Sequence, residues 1–312
     1  MCIRDSLCIL RFGQGFGRGG EWGGAALLAV ENAPPGWAAR FGMAPQLGAP
    51  VGFIAANGLF LLLGLNLNEE QFVAWGWRVP FLASGILVGL GLWVRLKISE
   101  TPDFARVLEA ERPAPVPVVE LLRHHLRATL AGTFAVVACF AIFYLSTAFA
   151  LGYATTALGH DRTSFLIVQL GAILFLALGI VISGYRSDAT SSGRVLMIGC
   201  AATVGVGLMF GPLLGSGSLW LAWIALSVAL LVMGFVYGPL GAWLPQQFPA
   251  RVRYTGASVA FNGGGIIGGA VAPIAAQALA DMGGADAVGL YLAAAGLVSL
   301  AGLWAQRGRA VG

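Results

Sequence analysis

The chain is short of charge, and shortest of lysine. Only 10% of its 312 residues are Asp, Glu, Lys or Arg, where a soluble domain carries about a quarter. Seventeen of the 18 basic residues are Arg, Lys97 being the exception. With 58% hydrophobic residues and a mean hydropathy of +0.81, a water-soluble fold would have nowhere to put its apolar surface. The net charge of +4 is spread over short connectors, which excludes a nucleic-acid-binding patch. Histidine and cysteine are scarce too. His124 and His125 sit in a polar stretch, His160 stands beside Asp161, and Cys2, Cys8, Cys139 and Cys200 are scattered singly. Neither set has metal or redox spacing, so no metal or other cofactor is expected. Cys139 and Cys200, inside apolar runs, read as small hydrophobes. Met1–Ser6 resembles no signal peptide, being polar with no apolar core of its own before a cleavage site. Residues 1–6 read as a foreign or artefactual start on a truncated chain.

What is present is a series of long apolar runs. A membrane-spanning helix needs about 20 such residues, and nine runs qualify, at roughly 7–31, 41–65, 78–97, 128–153, 164–184, 195–215, 218–240, 255–280 and 286–306. Backbone in hydrocarbon has to satisfy its own hydrogen bonds, and these runs are too long for barrel strands, so the fold class is all-α and polytopic. Charge then alternates between connectors. One set holds Arg40, then Arg95 to Arg127, then Arg186 and Arg194, then Arg251 and Arg253, then Arg307 and Arg309. The other holds Glu69 and Glu70 with Arg78, Asp161 with Arg162, and Asp281 with Asp286. The excess of Arg places the first set, and the C-terminus, in the cytoplasm. Arg over Lys and abundant Gly and Ala suggest a GC-rich bacterium and its inner membrane. Residues 98–127 read as a cytoplasmic linker, in part an amphipathic helix.

Three runs precede that linker and six follow it. An internal repeat bears on the imbalance. Glu31-Asn32-Ala33-Pro34-Pro35 followed by Arg40-Phe41-Gly42 is echoed by Gln246-Gln247-Phe248-Pro249 and Arg253-Tyr254-Thr255-Gly256. Each is followed by a Gly-containing helix with an amide, Gln46 in one and Asn262 in the other. Duplication of this kind builds two-halved transporters with substrate between the halves. The domains read as 7–97, the remainder of a first six-helix half, and 128–312, a second six-helix half. About nine of twelve helices are then present.

Ionisable groups at membrane depth are costly and face a cavity or one another. In the first run Gln14, Arg18, Glu21 and Ala25 share a helical face, with Arg11 two turns before Arg18. Arg11 or Arg18 would attract a solute carboxylate, and Glu21, in an apolar cavity, would exchange a proton. The competing reading is that Arg18 and Glu21 neutralise each other. Gly15, Gly19 and Gly23 in one row, and Gly20 and Gly24 in another, let a neighbouring helix approach closely. Gly15, Gly17 and Gly20 spell GxGxxG, but no strand precedes them, so the nucleotide signal fails. Tyr144 and Thr147 share a face of the fourth run and are candidates to line a pathway. Asn262 is a further cavity candidate, with an interhelical hydrogen bond as its alternative. Asp188 and Arg194 flank one connector as a charge pair, and a loop Asp gains from a nearby helix N-terminus.

Several of these segments resemble one family. Arg11-Phe12-Gly13-Gln14-Gly15-Phe16 with Gly19-Gly20-Glu21-Trp22-Gly23-Gly24-Ala25 is similar to the fourth helix of the metabolite:proton symporters of the major facilitator superfamily. Trp75-Gly76-Trp77-Arg78-Val79-Pro80-Phe81, Glu100-Thr101-Pro102-Asp103-Phe104, and Phe248-Pro249 through Arg253-Tyr254-Thr255-Gly256 to Gly268-Gly269 and Pro273 resemble later parts of the same family. The resemblance covers residues 7–306. It implies the superfamily fold and proton-coupled symport of a small organic acid or zwitterion: a dicarboxylate, an aromatic acid, proline or a betaine. It also implies that Glu31 and Arg40 steady the inward gate, with Asp188, Arg194 and Arg253 in the matching gate of the second half. Three positions depart from the family pattern. The loop Gly184-Tyr185-Arg186-Ser187-Asp188 to Gly193-Arg194 is long, Gln246 replaces a usual Glu that would pair with Arg253, and Arg18 is charged. The expected partners are a small organic solute, protons and the lipid bilayer, with no nucleic acid. Alternatives are an exporter running proton antiport and an inactive fragment. A membrane enzyme would need a nucleophile, metal set or paired carboxylates at one depth, and the sequence offers none.

Overall fold

The computed structural model describes residues 3–97 and 117–306, and the described residues are helices and turns with no strand. Residues 98–116, with Arg106, Arg112 and the Glu100–Phe104 motif, lie outside the described residues. So do Met1, Cys2, Arg307, Arg309 and the side chains of Arg4, Arg18 and Arg95.

In chain order, α1 (Ile3–Arg18) and α2 (Glu21–Glu31) make up the first apolar run. Helix α3 (Ala38–Met43) continues through a 3-10 turn at Pro45–Leu47 into α4 (Gly48–Asn66). Helix α5 (Glu69–Ala74) leads into α6 (Val79–Lys97), and α7 (Pro117–His124) precedes α8 (Leu126–Tyr144). A π-helical turn at Leu145–Phe149 joins α8 to α9 (Ala150–Thr156). Then follow α10 (Arg162–Ala189), α11 (Ser192–Leu214), α12 (Leu219–Tyr237) and α13 (Leu240–Trp243). Last come α14 (Arg253–Gly265), a second π turn at Ile266–Ala270, and α15 (Val271–Ala305).

Seven of these stretches are long and apolar enough to cross a membrane. The last of them, 56 residues from Ala250 to Ala305, divides at Gly283–Gly284, where Gly284 has φ 65°. Only glycine takes that backbone without strain, so the stretch crosses twice. The first run departs from the sequence expectation of one helix over 7–31. It is broken at Gly19–Gly20 into pieces of 16 and 11 residues. Neither piece, at about 24 and 16 Å by the α-helical rise, crosses a core of about 30 Å alone. Two adjacent glycines are where opening the helical ladder costs least.

The spans from α8 onward form a tight bundle. Between lipid-embedded helices there is no hydrophobic drive, so close backbone approach and hydrogen bonds carry the association. A Cβ on Gly234 would lie 2.5 Å from the Gly179 carbonyl carbon, so α10 and α12 touch backbone to backbone. Ser299 of α15 accepts the Ala138 N–H and donates to the Phe134 carbonyl, each at 2.8 Å. The π turn in the fourth span is buttressed from α10, where buried Gln169 donates Nε2 to the Ser146 and Thr147 carbonyls at 2.9 and 2.7 Å. In contrast, Leu82, Ile86 and Leu96 of α6 are at least 75% exposed.

The connectors sort by end. Arg40, Arg186, Arg194, Arg251 and Arg253 share the basic end of the bundle, where α7 docks through buried Leu121 and an Arg251–Glu120 pair at 3.4 Å. At the other end Asp161 caps α10 by accepting the Ser164 N–H at 2.8 Å. That bond holds its exposed carboxyl below the ordinary carboxylate range. The capping contribution is therefore present above the unfolded-state value and lost as pH falls through the folded one.

Candidate functional site

The first spans meet the later bundle at the basic end and part toward the other. Asp188, the penultimate residue of α10, accepts the Ala39 and Arg40 N–H groups at 2.8 and 3.1 Å and lies 3.2 Å from Arg40 Nε. The Arg40 guanidinium stacks on Trp37 and Tyr185, 4.5 and 4.6 Å from the ring centroids. The expected Asp188–Arg194 pair is thus not formed. Arg194 is exposed and, among the described residues, makes no ion pair, its N–H being capped by Ser191. The reason is geometric: the free N–H groups opening α3 and the Arg40 side chain converge on one carboxylate, whereas Arg194 points to solvent. Beside this clamp Gly42 meets Gly241 so closely that neither has room for a Cβ, and Gly184 packs on Met43 Sδ. Arg253 donates Nε to the Phe248 carbonyl at 3.4 Å, and the neighbouring Gln246 is exposed. Glu31 ends α2 half-buried.

One level deeper lies the break in the first span. Asn262 of α14 donates Nδ2 to the Gly19 carbonyl at 2.7 Å and to the Ser258 carbonyl at 2.8 Å. Tyr254 donates its hydroxyl to the Gly20 carbonyl at 3.1 Å. Open backbone at membrane depth is tolerated where partners of this kind re-satisfy it. Asn262 is nine residues beyond Arg253, about 13 Å at the helical rise and so close to the middle of a bilayer core of about 30 Å. Trp22 then stacks on Phe261 at a centroid distance of 3.7 Å and donates Nε1 to Gln46 Oε1 at 3.0 Å. Gln46 is fully buried, and Phe261 is in turn edge-on to Phe140 at 5.0 Å. Both amides of the internal repeat, Gln46 and Asn262, therefore converge on the broken span.

Beyond the break the elements diverge. All side chains of α1 from Leu7 to Gly17 are exposed, and Arg11 donates to Gln14 Oε1 at 3.0 Å. Glu21 is exposed as the first residue of α2, on the far side of the break from Gln14. The continuous face expected for Gln14, Arg18, Glu21 and Ala25 is accordingly interrupted, because the ladder opens between the second and third of them. The glycine rows behave as expected only below the break. Gly20 and Gly23 meet Tyr254 and Ser258, whereas nothing lies near Gly15. In the fourth span Tyr144 is 38% exposed, edge-on to Phe143 and packed on Gly269. Thr147, half-buried in the π turn, donates its hydroxyl to the Phe143 carbonyl at 2.6 Å. Arg11 bonds to Gln14 whereas Tyr144 packs on Phe143 and Gly269, so the two are not brought together.

Polar contacts thus join the first spans to the later bundle at the basic end and again at the break. A family model described as Major Facilitator Superfamily matches residues 2–273. The chain belongs to that superfamily. This major facilitator is 45% identical over 301 residues to the inner membrane metabolite transport protein YhjE of Escherichia coli (strain K12), a match covering 95% of this chain and 68% of that protein. It is 34% identical to the shikimate transporter of the same strain, over 94% of this chain and 68% of that protein. A proline/betaine transporter of Salmonella typhimurium is 25% identical, with coverage of 86% and 56%. The major facilitator described here is a metabolite transporter and not an enzyme.

Trp22, Gln46, Trp37, Tyr185, Tyr254 and Gln169 were not among the residues expected to form the site. Gln46 carried a signal, as the repeat partner of Asn262. Gln169 carried none, being one amide in an apolar run. If the Asp188 clamp holds the basic end shut, Asp188→Asn should weaken it by about 1.5–3 kcal/mol, the range for hydrogen bonds to a charged group. A thiol placed at buried Ser187 should then react with a maleimide at least about tenfold faster. An unchanged rate in Ser187→Cys/Asp188→Asn would remove the clamp from the gate.

Proposed function

We propose that this transporter carries a small organic acid or zwitterion into the cell together with a proton, by alternating access between two halves. The reading places it in a bacterial inner membrane with the basic end and the C-terminus in the cytoplasm, as the Arg excess at that end favours. The observation that carries it is the discontinuous first span. Broken helices near the midplane present helix ends and ionisable side chains to substrate and coupling ion in transporters built from repeats. Here the break separates Arg11 and Arg18 on one piece from Glu21 on the other, and its carbonyls are held by the opposite group of helices through Asn262 and Tyr254. Arg11 or Arg18 would receive the solute carboxylate, Gln14, Tyr144, Thr147 and Asn262 its polar remainder, and Glu21 the proton. The names of the relatives, a shikimate transporter and a proline/betaine transporter, fit a carboxylate-bearing solute. With the basic end sealed and α1 splayed, the conformation corresponds to one open outward. Glu31, Arg40, Asp188, Arg194 and Arg253 belong to the inward gate in this scheme.

The experiment is proton movement in vesicles carrying the protein, followed with a pH-sensitive dye as aromatic acids, dicarboxylates, proline and betaines are added in turn. Alkalinisation outside on adding one solute is expected. Acidification outside would reverse the direction to antiport, and silence across the panel would remove this solute class.

A further inference from the structure

On the outer face of the bundle, at the basic end, α8 and α15 flank an open groove of about 670 Å³. Leu126, Leu130 and Phe134 form one wall at spacing i, i+4, i+8, and Val298, Ala301 and Ala305 form the other. The four larger of these side chains are between 39 and 48% exposed, so the protein itself leaves the groove unfilled. The two helices cannot close it. Ser299 pins them on the Phe134 and Ala138 backbone, and Gln306 donates to the Ala128 carbonyl at 3.0 Å.

The groove is apolar along its length and cationic at its mouth, where Arg127 lines it and Arg123 is exposed just before. Arg127 makes no ion pair among the described residues. Leu126 to Phe134 spans about 12 Å at 1.5 Å per residue, close to the roughly 15 Å of hydrocarbon in one leaflet. An apolar trough one leaflet deep, with an unpaired guanidinium at headgroup level, has the shape and charge of a phospholipid with a negative headgroup. Basic pockets between helices on the cytoplasmic side recognise such headgroups. We infer that this groove seats one acyl chain of an anionic phospholipid of the adjacent leaflet, with its phosphate on Arg127. The site is separate from the solute path and does not depend on which solute or ion is carried.

The test is lipid retention by the purified, delipidated protein offered an equal mixture of phosphatidylglycerol and phosphatidylcholine, counted by native mass spectrometry. Wild type should retain phosphatidylglycerol in preference by roughly fivefold, the factor that one basic residue supplies at an anionic surface. Arg127→Gln should lose that preference while still binding lipid. Ala301→Trp, which fills the trough from an exposed position, should lose the tightly retained lipid altogether. A preference that survives Arg127→Gln would overturn the assignment, as would full retention by Ala301→Trp. A stable dimer that Ala301→Trp breaks and Arg127→Gln leaves intact would also overturn it, making a second copy of the chain the occupant. Unchanged thermal unfolding of Arg127→Gln in phosphatidylcholine separates loss of a site from loss of fold.

Discussion

Glu21→Gln is expected to abolish accumulation driven by a proton gradient while leaving solute exchange intact. Each proton moved down 100 mV with a solute of no net charge, such as a zwitterion, supplies about 2.3 kcal/mol, enough for roughly fifty-fold accumulation. The glutamine variant should bring that ratio to one. The prediction rests on where Glu21 stands, opening α2 directly after the break, next to carbonyls that Asn262 and Tyr254 hold from the facing helix. A proton on Glu21 would allow the halves to reorient without carrying a desolvated charge through the closed state. Exchange needs no such neutralisation, because a bound solute returns by the route it came. Concentrative uptake by Glu21→Gln at the wild-type ratio would move the coupling role to another group.

The second large effect is expected at the Gly42–Gly241 crossing. Gly241→Leu puts a side chain into backbone on the opposite helix, where Gly42 and Gly241 already leave no space for a Cβ. Overpacking costs about 1–3 kcal/mol where side chains can yield, and a facing backbone yields less. Under the alternating access proposed above, this contact would part when the basic end opens, so the whole cost would fall on the closed state. Net transport should drop more than about tenfold, with a thiol at position 187 becoming reactive from the basic side. Gly205→Leu is the matched control. Nothing lies within 4 Å of its Cβ position, so transport should be close to wild type. If the two variants behaved alike, close approach at Gly42 and Gly241 would not be part of the cycle.

The helical, membrane-spanning character of the chain was legible from composition and run length, because lipid leaves backbone few other ways to be satisfied. So was the grouping of Arg40, Arg186, Arg194, Arg251 and Arg253 at one end. The motifs around Glu21, Trp75 and Pro249 pointed to the family that the sequence comparison shows. The misreadings share a cause. Helical spacing assumes an unbroken ladder, and it placed Gln14, Arg18, Glu21 and Ala25 on one face without sensing that two glycines and two bonds from α14 open the ladder between them. Proximity in sequence likewise suggested Asp188 with Arg194. The carboxylate is instead taken by α3, 148 positions away, whose free N–H groups and Arg40 are the stronger combination.

Sequence alone therefore determined the solvent, the number of crossings to within the Gly19–Gly20 break and the end that carries the cations, because each follows from local chemistry summed along the chain. Tertiary structure decided which polar groups meet. Gln46 finds Trp22, Gln169 finds the π-turn carbonyls, and Asn262 finds Gly19 only after helices distant in sequence cross at small residues. Those partnerships depend on crossing angle and depth, which no single segment encodes.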